Sequence, residues 1–215
     1  MAAKPIVIAD DHPLFRAALR QAVAAAAPDR EIIETSSLAA AREEVEARGP
    51  GLLCLDLHME DSDGFAGLLS LRHDYPALPV AVVSGSESAD VVRRALKFGA
   101  SAFIPKSLGV DEIRQAIAAV LEGDVWAPPV SEAETPDADL AERLAALTPT
   151  QLKVLISVHK GLLNKQIAYE MSISEATVKA HLTAIFRKLN VQTRTQAVLA
   201  AGALITEPDV VRDDG

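Results

Sequence analysis

At 215 residues with 49% hydrophobic side chains, the chain is long enough for two domains with real cores. A lone cysteine, Cys54, excludes a disulfide framework and a cysteine-based metal site, and no apolar run reaches the length of a membrane span. The net charge of −9 is uneven: residues 1–121 carry −5, 122–147 carry −6, 148–205 carry +5 and 206–215 carry −3. One basic segment inside an acidic chain points to an anionic partner for that segment alone. The opening MAAKPIVIADD lacks the apolar stretch and cleavage site of a signal peptide, so a soluble cytoplasmic protein without a membrane partner is expected.

Short β-branched or apolar runs recur at 5–10 (PIVIAD), 31–35 (EIIET), 52–56 (LLCLD), 79–84 (PVAVVS) and 101–105 (SAFIP). Between them lie helix-length stretches with apolar residues at helical spacing. Examples are Leu14, Ala18 and Leu19; Val91, Val92, Ala95 and Leu96; and Ile113, Ile117, Val120 and Leu121. Alternation of this kind predicts an α/β doubly wound domain over 1–121, with a five-stranded parallel sheet. Its ligands should bind beyond the carboxyl ends of the strands, at the switch point.

Those ends carry the chemistry. The first strand finishes in Asp10 and Asp11, the third in Asp56, the fourth in Ser84, and the fifth leads to Lys106. A carboxylate closing an apolar strand is costly unless a cation answers it. Three carboxylates at one sheet edge suit a hard divalent ion such as Mg2+. Lys106 and the Ser84 hydroxyl add a cation and a donor for the oxygens of a transferring phosphoryl group, with Asp56 as nucleophile. Taken singly, the Asp pair reads as a turn, Ser84 as a cap and Lys106 as a solvated lysine; together they read as a site.

Residues 122–147 hold three prolines and seven acidic side chains, the composition of a linker. Leu140, Leu144 and Leu147 predict a short helix at its end, and Trp126 either pins the linker to a domain or covers the preceding helix. From 148 to 205 the pattern is all helical. Thr148 caps a helix that begins at Pro149 and stops at Gly161. Asn164 is expected to cap a second, short helix, and Ser174 a longer one from Glu175 to Leu189. A last helix is expected over Thr195 to Leu204. The middle pair reads as a helix-turn-helix. Residues 206–215 form an acidic tail.

In combination these motifs make the chain resemble a bacterial two-component response regulator of the NarL/FixJ subfamily, which joins a flavodoxin-like receiver domain to a LuxR-type helix-turn-helix. IADDHPLFRAAL, LDLHMEDSDG, VVSG, FGASAFIPKS and GLLNKQIAYEMSISEATVKAHLTAIFRKL carry the resemblance. It implies phosphorylation of Asp56 by a sensor histidine kinase, not enzymatic turnover of an outside substrate. Mg2+ would sit on Asp11, Asp56 and the main-chain carbonyl of His58, with Asp10 acting through water. Lys106 would pair with the phosphorylated side chain and Ser84 would move to bond it. Phe103 occupies the place of an aromatic rotamer switch that turns inward; an ordinary, partly exposed aromatic is the competing reading. Base-edge contacts fall on Lys179, Ala180 and Thr183. Phosphate contacts fall on Lys165, Thr177 and Lys188. His181 reads equally as a structural residue or a phosphate contact. The Ala-rich last helix reads equally as core or as the seam of a homodimer formed on phosphorylation or on double-stranded DNA.

Three departures from the family pattern stand out. Glu60 replaces the usual proline, and with Asp61 adds negative charge that either attracts Mg2+ or repels a phosphodonor. Ser107 follows Lys106 where many receivers have proline, so a cis bond there is expected only if the pocket enforces it. Phe103 lacks a tyrosine hydroxyl. His58 is expected to tune the lifetime of the phosphorylated state, and the acidic linker and receiver to disfavour DNA binding before phosphorylation. Other readings are a receiver working without phosphorylation, a front half sensing a small ligand, and a haloacid-dehalogenase-type phosphatase. The last would need a second Asp where His58 stands.

Overall fold

A computed structural model of the chain describes residues 3–62, 64–130 and 138–204. Asp63, the acidic tail and the middle of the linker lie outside the described residues. The chain divides into two compact units, described in turn.

In the first unit β1 (Ile6–Ala9), β2 (Ile32–Thr35), β3 (Leu52–Asp56), β4 (Val80–Ser84) and β5 (Ala102–Pro105) form one parallel sheet in the order β2-β1-β3-β4-β5. The four strands β1, β3, β4 and β5 are buried throughout, whereas β2, at one edge, is mostly half-exposed. Near-continuous apolar runs are what strands covered on both faces require. Ile6, Ile8, Cys54, Val83 and Ile104 point to one face. There they pack with Leu19 and Val23 of α1 (Pro13–Ala26) and with Ile113, Ile117 and Val120 of α5 (Val110–Glu122). The opposite face is covered by α2 (Leu38–Arg48), α3 (Phe65–Asp74) and α4 (Ala89–Lys97), where Phe65 and Phe98 meet edge to face at 5.2 Å.

One element of the expected pattern moves. Leu14, placed on the apolar stripe of α1, is 91% exposed, and the buried residues of that helix begin at Leu19. Its neighbour Phe15, in the same turn, packs against the core instead.

The N-terminus of α2 is closed from outside. Ser37 Oγ accepts from Ala40 N, and the Asp61 carboxylate accepts from Leu38 N and Ala39 N, both at 2.9 Å. Three otherwise unpaired amides are thereby satisfied. The loop that follows Asp56 is thus tied to α2. Gly67 permits the tight fit beside it, since a Cβ there would stand 3.0 Å from Leu38 Cδ2 and 3.2 Å from Ser62 Oγ.

Trp126 pins the linker to the first unit. It bridges to Ala102 alongside β5: Phe103 N donates to Trp126 O at 3.0 Å and Trp126 N to Ser101 O at 3.1 Å. Its ring packs on the core beneath α1 and α5.

In the second unit α6 (Ala138–Ala145), α7 (Pro149–His159), α8 (Asn164–Glu170), α9 (Glu175–Leu189) and α10 (Arg194–Ala201) are followed by a 3-10 turn, Gly202–Leu204. Leu144, Leu147, Leu152, Leu155, Ile167, Val178, Leu182, Ile185, Leu189 and Ala197 form its core. Thr148 and Gln151 close α7 by a reciprocal capping box, as expected. Asn164 is not a cap: it is the first residue of α8, Leu163 stands before it, and its Oδ1 accepts from Arg194 Nη1 at 3.0 Å. The last helix opens on Thr193 and closes at Ala201, three residues short of Leu204. Between α8 and α9, Ser172 takes φ 54° to make the turn. Asn190, with φ 55°, ends α9 in the left-handed conformation that Asn tolerates.

Candidate functional site

The carboxyl ends of β1, β3 and β4 share one local device. His12 N donates to Asp10 Oδ1 at 2.7 Å, His58 N to Asp56 Oδ1 at 3.0 Å, and Ser86 N to Ser84 Oγ at 3.1 Å. In each case the last polar residue of the strand region accepts the amide two residues on, which turns the chain and fixes its side chain over the sheet edge. Because β1 and β3 are neighbours at the switch point, Asp10 and Asp56 arrive side by side.

Lys106 enters from the end of β5, its own amide held by Ser84 O at 2.8 Å. Its Nζ donates to Asp56 Oδ2 at 2.8 Å and stands 3.1 Å from Asp10 Oδ2. The stem crosses the Phe15 ring, with Nζ 5.1 Å from the centroid. Asp56 and Ser84 are completely buried and Asp10 is 1% exposed.

Burial, and then the neighbouring Asp56 charge, raise the Asp10 carboxyl above its ordinary value despite Lys106. Lys106 is also raised. Burial would lower it, but the hydrogen bond and charge of Asp56, joined by Asp10, outweigh that. One ammonium therefore serves two buried carboxylates. Asp11 Oδ1, on the same side of the pocket, is answered by His12.

The sequence overlooked His12. Its Nδ1 lies 2.7 Å from Asp11 Oδ1, 3.4 Å from Asp10 Oδ1 and 3.5 Å from Asp56 Oδ2, and Lys106 Nζ is 3.4 Å away. The available signal was its position directly after the Asp pair and before Pro13, where a helix N-cap faces the sheet edge.

Phe103 is fully buried beside Val82, so neither a partly exposed aromatic nor a ring waiting to turn inward describes it here. Asp61 is engaged at the N-terminus of α2, while Glu60 is exposed. Among the described residues every peptide bond is trans, Lys106–Ser107 included.

One oxygen from each of Asp10, Asp11 and Asp56 lies within 4.8 Å of the others, a donor set that fits a hard divalent cation of the Mg2+ type.

In the second unit Lys165, Thr177, Lys179, Ala180 and Thr183 are exposed on α8 and the first half of α9. Lys179 Nζ is 3.7 Å from Glu175, and Thr183 Oγ1 donates to Lys179 O at 3.0 Å. Thr177 Oγ1 shares a hydrogen bond with Ser174 Oγ at 2.7 Å. Lys188 stands apart from this group: its Nζ donates to Ala146 O and Gln151 Oε1, both at 2.8 Å, stapling α9 to the segment between α6 and α7. His181 is half-buried.

A parallel sheet with a lysine-paired carboxylate pocket at its switch point, followed by a helix-turn-helix, defines the response-regulator class. Residues 6–118 match the response regulator receiver domain, and 145–201 match bacterial regulatory proteins of the luxR family. The chain is 42% identical over 208 residues to the glycerol metabolism activator of Pseudomonas putida, covering 92% of this chain and 94% of that one. It is 31% identical over 206 residues to the nitrate/nitrite response regulator protein NarL of Escherichia coli (strain K12), covering 90% and 93%. A structure of two RcsB dimers bound to two parallel DNAs aligns with a TM-score of 0.55 at 21% identity, covering 95% and 100%, a likeness of fold. The chain belongs to the NarL/FixJ subfamily of two-component response regulators, a family of transcription regulators. Among the described residues no helix is long and apolar enough to cross a membrane.

Proposed function

We propose that Asp56 is the phosphoacceptor and that its phosphorylation by a sensor histidine kinase controls dimerisation and promoter binding. The 2.8 Å pairing of Lys106 with the buried Asp56, beside the carboxylates of Asp10 and Asp11, carries this reading. An Asp56 carboxylate oxygen forms the new O–P bond as the P–N bond to the kinase histidine breaks, and the imidazole departs. Mg2+ would be held by Asp10, Asp11, Asp56 and the His58 carbonyl, and neutralises charge on the phosphoryl oxygens when bound. Lys106 follows the charge from the carboxylate to a phosphoryl oxygen. Ser84 Oγ, now accepting from Ser86 N, has its own proton to donate to another. That rearrangement tightens the β4–α4 loop. With Phe103 already inward, this loop is where phosphorylation first alters the chain.

At the other end, Lys179, Ala180 and Thr183 meet base edges in the major groove while Lys165 and Thr177 hold phosphates. Lys188 has one donor left after its two internal bonds, and it contributes as a brace of α9 with a single phosphate contact. Double-stranded DNA with paired half-sites is the expected target, consistent with the DNA-bound dimers of RcsB.

Incubation with Mg2+ and acetyl phosphate should add one phosphoryl group by intact mass, shift the protein towards dimer and strengthen DNA binding. The Asp56→Asn variant should show none of the three. Equal labelling of that variant overturns the assignment.

A further inference from the structure

The outward stripe of α9 has few polar groups for a helix that reads DNA. Val178, Leu182 and Ile185 turn inward. Ala176, Lys179, Ala180 and Thr183 are exposed and share an arc of about 100° on the other side. A helix-turn-helix sets the first turns of its second helix against base edges, so what this arc offers decides which bases are chosen. Residues 175–187 contain no Asn or Gln, the residues that pair bidentately with adenine. Their one carboxylate, Glu175, lies 3.7 Å from Lys179 Nζ. Thr183 commits its hydroxyl proton to its own helix: Oγ1 donates to Lys179 O at 3.0 Å. What it can still show a base is a methyl group and an acceptor without a proton.

We propose that α9 selects thymine by its C5-methyl group, through the methyls of Ala180 and Thr183, beside a guanine read by the Lys179 ammonium. This selection rests on α9 being the DNA-reading helix proposed above, and adds which bases that helix prefers. Side chains three or four residues apart on a helix have Cβ atoms about 5–6 Å apart. Successive base pairs are about 3.4 Å apart. The three side chains therefore cover about two to three neighbouring base pairs, and the half-site is a guanine with thymines, on either strand, within that span. The rival reading has Thr183 Oγ1 accepting from adenine N6 or cytosine N4, and it needs the oxygen where the methyl reading does not.

The test selects duplexes from a randomised pool with the full-length protein in Mg2+ and acetyl phosphate, and then measures binding to the selected duplex. Guanine with neighbouring thymines should be enriched. Replacing one of those thymines by deoxyuridine, which deletes only the methyl, should weaken binding about 4-fold, the worth of one buried carbon. Thr183→Val, which keeps a methyl and lacks the oxygen, should retain the discrimination between thymine and deoxyuridine. Thr183→Ser, which keeps the oxygen and lacks the methyl, should abolish it at one position. Lys179→Ala should relax the preference for guanine. Discrimination lost in Thr183→Val and kept in Thr183→Ser overturns the proposal, as does a selected site without thymines or one indifferent to deoxyuridine. Failure to enrich any sequence would overturn the DNA-reading role of α9, and this proposal with it, whereas the other outcomes leave that role standing.

Discussion

Asp61 offers the sharpest test of how the loop after Asp56 is held. Its carboxylate accepts from the first two amides of α2, Leu38 N and Ala39 N, and places a negative charge at that helix's N-terminus. A single capping side chain contributes about 1 kcal/mol, and a carboxylate at a helix start adds roughly 0.3–1 kcal/mol. Both bonds are solvent-exposed, so Asp61→Ala should cost about 1–2 kcal/mol. For a unit of this size that is a fall of roughly 3–6 °C in melting temperature. Asp61→Asn, which keeps one acceptor and loses the charge, should fall between the wild type and the alanine variant. Differential scanning calorimetry, with a parallel Mg2+ titration, separates stability from pocket electrostatics. An unchanged melting temperature together with a tenfold loss of Mg2+ affinity would show that Asp61 acts on the cation, and the capping account would be wrong.

Burial and the Asp56 charge raise Asp10, so its ionised form is disfavoured in the folded state. Stability is therefore lost as pH rises from the ordinary value of 3.8 through the raised folded value. Asp10→Asn should raise the unfolding free energy at pH 7 in Mg2+-free buffer, by an amount that shrinks on acidification; urea denaturation showing a loss at pH 7 would contradict this. Cys54 is completely buried, with its thiol pushed up to about 12. It should resist thiol reagents at pH 8 in the native protein, and Cys54→Ser should cost about 1–3 kcal/mol for an unpaired buried hydroxyl, read by chemical denaturation. Lys188→Ala should destabilise the second unit by about 1–2 kcal/mol through loss of its two internal bonds. Lys165→Ala should leave stability intact and lower the salt dependence of DNA binding by about one unit of slope.

The strands were legible because a strand covered on both faces must be apolar along its length, and all five lie within one residue of the expected bounds. The meeting of Asp10, Asp56 and Lys106 was equally legible, since parallel topology sends strand ends to one edge. Side-chain destinations set by distant partners were not. Nothing local says that Asp61 reaches the amides of α2, that Asn164 answers Arg194, or that Lys188 turns back towards α7. Leu14 misled because helical spacing alone does not say which of two adjacent apolar residues turns inward, and here it is Phe15. His12 escaped notice because its relevance lies in a ring nitrogen brought near Asp56 by neighbouring strands.

The pairing of Trp126 with Ala102 has a practical corollary for anyone cutting the protein. A fragment ending at residue 121 would strip the outer edge of β5 of its backbone partner and lay bare Phe103 N and Ser101 O on a strand margin, the kind on which chains polymerise. Keeping the few residues through Trp126 leaves that margin sealed by the chain itself.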